Sequence, residues 1–101
     1  MAQLLVLYNT PADPAAFDRY YEETHIPLAQ KIPGVRSLTI NNGPVQALAG
    51  TAPYLVAALH FDSLAHVSAA LSSPEGQAAA ADLLNFASGG VTLLMFEEKT
   101  L

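Results

Sequence analysis

Apolar residues gather in four short runs along the chain: QLLVLYN at residues 3–9, VRSLTIN at 35–41, YLVAALHF at 54–61 and VTLLMFEE at 91–98. Each has strand length and is rich in branched or aromatic residues, which predicts four β-strands. In the third run Tyr54, Val56, Ala58 and His60 fall on one face, and Leu55, Ala57, Leu59 and Phe61 on the other. Both faces are mostly apolar, as they are in the first run, so both sides of the sheet need cover.

The segments between these runs carry helix-start signals. Asp13 followed by Pro14 reads as an N-cap with proline at the first helical position. That helix is predicted to run toward Lys31 and to stop at Pro33-Gly34. Asp62 or Ser63 caps a second helix, with Leu64, Val67 and Leu71 on one face. Ser73-Pro74 repeats the signal and opens a further helix through Phe86, ended by Gly89-Gly90. The order β-α-β-β-α-β predicts an α+β chain of the ferredoxin-like class, its helices on one sheet face through right-handed crossovers. A second copy is the simplest cover for the other apolar sheet face, so a homodimer is expected. Residues 42–53 form a connection long enough to act as a lid.

Composition narrows the function classes. The 101 residues, 51% of them hydrophobic, suit a single domain spanning 1–101. A net charge of −5 with only four Lys plus Arg argues against nucleic acid or an anionic membrane as a partner. Without cysteine there is no disulfide, thiol nucleophile or thiolate metal ligand. The opening residues lack a basic leader, and their apolar run is too short to span a bilayer, so a cytoplasmic protein is the expectation. His25, His60 and His66 show no clustered spacing, so no metal site is expected. The glycine-rich nucleotide fingerprints and the serine-hydrolase elbow are missing, and no cofactor is expected.

The candidate chemistry centres on FDRYYEETHIPLA at residues 17–29. At about 100° per residue, Phe17, Tyr20, Tyr21, Thr24 and Leu28 form one helical stripe, with His25 at its edge about 80° from Phe17. Tyrosines in such a stripe need hydrogen-bond partners, which a pocket or a carboxylate supplies. Ile26 would face solvent on ideal geometry. Pro27 removes the donor for the Glu23 carbonyl, so a bend is expected near His25. Two roles fit His25: a helix-boundary residue bonded to freed carbonyls, or a proton-transfer group titrating near neutral pH. Asp82 flanks the stripe of Ala79, Leu83 and Phe86, where it is either solvated or set to orient a histidine or tyrosine. Asn85 is placed toward solvent, His66 on the surface, and His60 at a cavity or the dimer surface.

The chain resembles the EthD family, named for a protein encoded with an ether-degrading cytochrome system. LLVLY and F-x-x-Y-Y-x-x-x-H-x-P-L-A carry the likeness first. K-I-P-G-V-R at 31–36, H-F-D-S-L at 60–64 and S-P-E-G-Q-A-A-A-A-D-L-x-N-F-A-x-G-G-V at 73–91 continue it. The resemblance implies a dimeric α+β barrel, two ferredoxin-like units with facing sheets, and a cavity between sheet and helices. His25, Asp82 and Phe86 match family motif positions. Members are often labelled oxidoreductases, and the fold also hosts cofactor-independent monooxygenases, isomerases and cyclases. Two functions are therefore open. One is an enzyme acting on a small hydrophobic or aromatic molecule, with His25 moving a proton, Asp82 orienting it, and Tyr8, Phe17, Tyr21, His60 and Phe86 binding substrate. The other is a non-catalytic binder or accessory protein of an oxygenase pathway.

Overall fold

A computed structural model describes residues 1–101. Strands β1 (Ala2–Tyr8), β2 (Ser37–Ile40), β3 (Leu55–Phe61) and β4 (Val91–Glu97) form one antiparallel sheet in the order β2-β3-β1-β4. With its helices on one side, the chain has the ferredoxin-like α+β fold. Alternation along the strands decides what is covered. Leu4, Val6 and Tyr8 of β1 and Ala57, Leu59 and Phe61 of β3 point under the helices and are buried. Leu5, Leu7, Val56 and Ala58 point the other way and are only half-buried, with Leu94 and Phe96 of β4 beside them and exposed.

Helix α3 (Leu64–Ser72) is capped by the Ser63 hydroxyl, which accepts from the His66 N–H. Helix α4 (Pro74–Phe86) follows after one residue, Ser73, whose hydroxyl accepts from the Gly76 N–H. Gly76 lies so close to α3 that a Cβ there would overlap the Ala70 carbonyl oxygen, so only glycine permits this approach. Val67 and Ala70 of α3 are buried against the sheet. Gly34 adopts φ +83° after Pro33, the left-handed turn that redirects the chain into β2.

The first helical arm is the main departure from expectation. Asp13 caps α1 (Pro14–Tyr20) by accepting from the Ala16 N–H at 3.1 Å, as its sequence predicts. A π-helical turn then spans Tyr21–His25, closed by the Ile26 N–H donating to the Tyr21 carbonyl, before α2 (Ile26–Gln30). The irregularity falls just upstream of Pro27, which offers no N–H to the Glu23 carbonyl. An i→i+5 turn takes in one extra residue, a slip of about 100° for everything after it. His25 moves from about 80° to within about 20° of Phe17, and Ala29 from about 120° to about 20°. Phe17, Tyr21, His25 and Ala29 are accordingly the buried row, while Thr24 and Leu28 are half-buried. Ile26, which an ideal helix turns to solvent, reaches the edge of the core.

Candidate functional site

Three elements bring the site together. Tyr8 ends β1 on the helix-facing side, the π turn aims His25 inward, and α4 presents Asp82 from 57 residues further along the chain. His25 and Asp82 are both buried, at 6% and 7% exposure. His25 Nδ1 lies 2.9 Å from Asp82 Oδ2. The other Asp82 oxygen accepts from the Tyr20 hydroxyl at 2.6 Å and from the Asn85 amide at 3.0 Å. Burial raises the affinity of this carboxyl for a proton. The bonds from Tyr20, Asn85 and His25 outweigh burial and hold its pKa below the usual carboxylate range. Asp82 is therefore ionised at neutral pH and can only accept. That makes His25 Nδ1 the donor and leaves Nε2 of the neutral ring as an acceptor.

Nε2 faces the Tyr8 hydroxyl at 3.5 Å. Burial pushes the Tyr8 phenol well above its ordinary pKa, helped by the negative charge of Asp82, so it remains a donor. Burial alone pushes Tyr21 up to about 12. The hydrogen bond to Asp82 is the main cause that raises Tyr20. Around these groups the rings lock together: Phe86 lies 4.7 Å from the His25 ring, Tyr21 5.5 Å from it, and Tyr8 meets Phe17 edge-on at 5.4 Å. Such packing holds the imidazole by contact as well as by its hydrogen bond.

A cavity of about 270 Å³ lies between sheet and helices, and Tyr8, Tyr21 and His25 line it. Its remaining walls are almost wholly apolar, including Val6, Ala57, Leu59 and Ala79, with no Lys or Arg among them. Leu93 and Met95, which also line it, are about half exposed, so the cavity opens at the β4 edge.

Not every residue expected at the site is there. Phe17 is buried in the aromatic cluster and Phe86 packs at a tilt against His25, but neither lines the cavity. His60 projects from the opposite sheet face, because its neighbours Leu59 and Phe61 take the helix side. It is half-buried, 3.9 Å from Glu98. None of residues 42–53 lines the cavity, so that loop does not close it. Conversely, Asn85 is solvent-exposed as expected, yet its amide holds Asp82. The i, i+3 spacing on α4 is the signal that could have found it. Tyr20 carries a signal too, as a phenol on the stripe in need of a partner. No group of three His, Asp or Glu side chains that could hold a metal ion occurs.

The EthD domain family model matches residues 9–90, which takes in His25 and Asp82. The chain belongs to the EthD family. It is 48% identical to the uncharacterized 11.0 kDa protein in the thcB-thcC intergenic region of Rhodococcus erythropolis, over 100% of this chain and 98% of that one. An EthD family protein from Bacillus halodurans superposes with a TM-score of 0.87 at 33% identity, covering 98% and 99% of the two chains. A dimeric ferredoxin-like protein of unknown function from Thermobifida fusca shares the fold, at TM-score 0.68 and 14% identity over 94% and 88%. The EthD fold thus frames a Tyr8–His25–Asp82–Tyr20 chain of polar groups, buried except at the half-buried Tyr20, beside an apolar cavity.

Proposed function

We propose that this EthD family protein binds a small, neutral, mainly apolar molecule between its sheet and helices, and that His25 moves a proton on it. The observation that carries this reading is His25 itself. It is a buried imidazole whose Nδ1 is committed to an ionised carboxylate, whose Nε2 faces the Tyr8 hydroxyl, and which lines an apolar cavity. Asp82 orients the ring and stabilises the imidazolium that forms when Nε2 takes a proton. Tyr8 and Tyr21 act as wall and hydrogen-bonding group, and Phe86 holds the ring from behind. Water takes about 30 Å³ per molecule, so 270 Å³ suits a ligand of about ten non-hydrogen atoms. Proton abstraction is a step common to cofactor-free oxidation, isomerisation and cyclisation, and the reading is placed at that step.

An NMR titration with naphthalene tests the binding. Shifts are expected at Val6, Ala57 and Leu59 on the helix-facing side, and none at Leu5 and Val56 on the open face. Shifts confined to the open face would reject the cavity as the binding site.

The open sheet face supports a homodimer. Leu94 and Phe96 are 46% and 41% exposed there, continuous with the half-buried Leu5, Leu7, Val56 and Ala58. A contiguous apolar patch of this kind favours a covering partner. Sedimentation equilibrium is expected to give twice the 10.6 kDa chain mass, and a stable 10.6 kDa species would exclude the dimer.

A further inference from the structure

We infer that the ligand carries a hydroxyl on a neutral, mainly apolar skeleton, of the phenol or enol class, and that its oxygen bridges the Tyr8 hydroxyl and His25 Nε2. This rests on the proton-transfer reading above and adds the functional group that the site recognises. The starting observation is an imbalance in hydrogen bonding. Both Asp82 oxygens accept hydrogen bonds at 2.6 to 3.0 Å. Tyr8, by contrast, is 1% exposed, and its hydroxyl makes one contact, to Nε2 at 3.5 Å. That length is the outer limit of a hydrogen bond. Nε2 has no other partner. Two buried polar atoms thus share one overlong contact on the wall of an otherwise apolar cavity, where such groups normally find close partners.

The directions of the missing bonds select the chemistry. Tyr8 needs an acceptor. Nε2 needs a donor, because the ring proton sits on Nδ1 toward Asp82. A hydroxyl supplies both through one oxygen, and the two atoms are close enough for one oxygen to reach both. A ketone or an ether accepts from Tyr8 but gives Nε2 nothing. A carboxylate would bring its charge into a cavity lined by no Lys or Arg.

The same geometry serves the step that follows. The O–H bond breaks, its proton passes to Nε2, and its electron pair stays on the ligand oxygen. The new imidazolium lies against Asp82. The oxyanion then receives two donors, the Tyr8 O–H and the Nε2–H, where the neutral hydroxyl had received one. Stabilisation that grows as charge develops is what favours the ionised state over the bound neutral one.

Calorimetric titration at pH 7 with 2-naphthol, 2-methoxynaphthalene and 2-naphthoate tests this. The skeleton is constant and only the polar group changes. The naphthol is expected to bind about tenfold tighter than the ether, the worth of one such hydrogen bond, and the naphthoate more weakly than the ether. In His25→Gln the naphthol-to-ether ratio is expected to fall toward one, whereas in Tyr8→Phe both ligands are expected to weaken together and keep their ratio, with circular dichroism confirming the fold. Should Tyr8→Phe not fold, the wild-type ratio and His25→Gln decide. Equal binding of naphthol and ether, tighter binding of the naphthoate, a ratio that His25→Gln leaves unchanged, or naphthol and ether binding that Tyr8→Phe leaves unchanged overturns the hydroxyl assignment and leaves the cavity reading standing. Binding of none of the three probes overturns both.

Discussion

Replacing His25 with alanine is expected to lower turnover by about 10²–10⁴-fold, the usual contribution of a positioned general acid or base. The imidazole is the one nitrogen base among the side chains that line the cavity, and a carboxylate holds its other nitrogen. Tyr8 and Tyr21 are pushed up by burial and stay protonated, and Asp82 does not line the cavity. No neighbour can take over. The alanine variant also opens space beside Phe86, 4.7 Å from the imidazole in the wild type, so added free imidazole should restore part of the rate. The measurement is kcat on any hydroxylated substrate that the wild type turns over, with circular dichroism to show that the fold survives. Full turnover by the folded alanine variant would remove His25 from the chemistry and favour a protein that only binds its ligand.

The second large effect is expected from Asp82→Asn. The substitution keeps the shape but not the charge. An asparagine can turn its amide N–H toward His25 Nδ1, which moves the ring proton to Nε2 and removes the acceptor that faces the cavity. A loss on the order of 10²-fold in kcat is expected, with a smaller change in ligand affinity. The variant should also respond differently to acid. In the folded state the Asp82 carboxyl is held below its ordinary range, the bonds from Tyr20, Asn85 and His25 outweighing burial. A group depressed in this way contributes stability that is present above the unfolded value near about 3.9 and is lost as pH falls through the folded value. Urea midpoints of the wild type should therefore drop more steeply below about pH 4 than those of Asp82→Asn. Parallel curves would mean that Asp82 is not the depressed group.

Both expectations concern residues that stand out in the amino-acid sequence, though for different reasons. Asp82 stands beside an apolar stripe on a well-signalled helix, where a carboxylate is either solvated or committed to a partner. His25 stands at a stripe edge, about 80° from Phe17 on ideal geometry, where spacing does not separate its two roles. His60 reads as a binding residue because it shares a mostly apolar strand face with Val56 and Ala58. That apolar face is the open one, and the cavity lies across the sheet from it. The enzyme reading drawn with the family resemblance assigns Phe17 and Phe86, two residues of apolar stripes, to the ligand. They pack against the site's rings instead, since spacing tells that a face is buried but not what buries it.

Local patterning by itself determined the element order, the Asp13 and Ser73 caps, the paired apolar faces of β1 and β3, and hence the ferredoxin-like fold. Those features depend on neighbours a few residues away, so they are written within each segment. Tertiary structure alone decided which residues meet. The π turn at Tyr21–His25 shifts the helix by one residue and swings His25 and Ala29 inward, a change of phase that no ideal helical wheel contains. The sheet order β2-β3-β1-β4 then fixes where Tyr8 stands beneath that arm. Packing of α4 brings Asp82 to His25 across 57 residues and to Tyr20 across 62. Contacts at such separations depend on helix phase and layer packing together, and neither quantity is a property of any one segment of the chain.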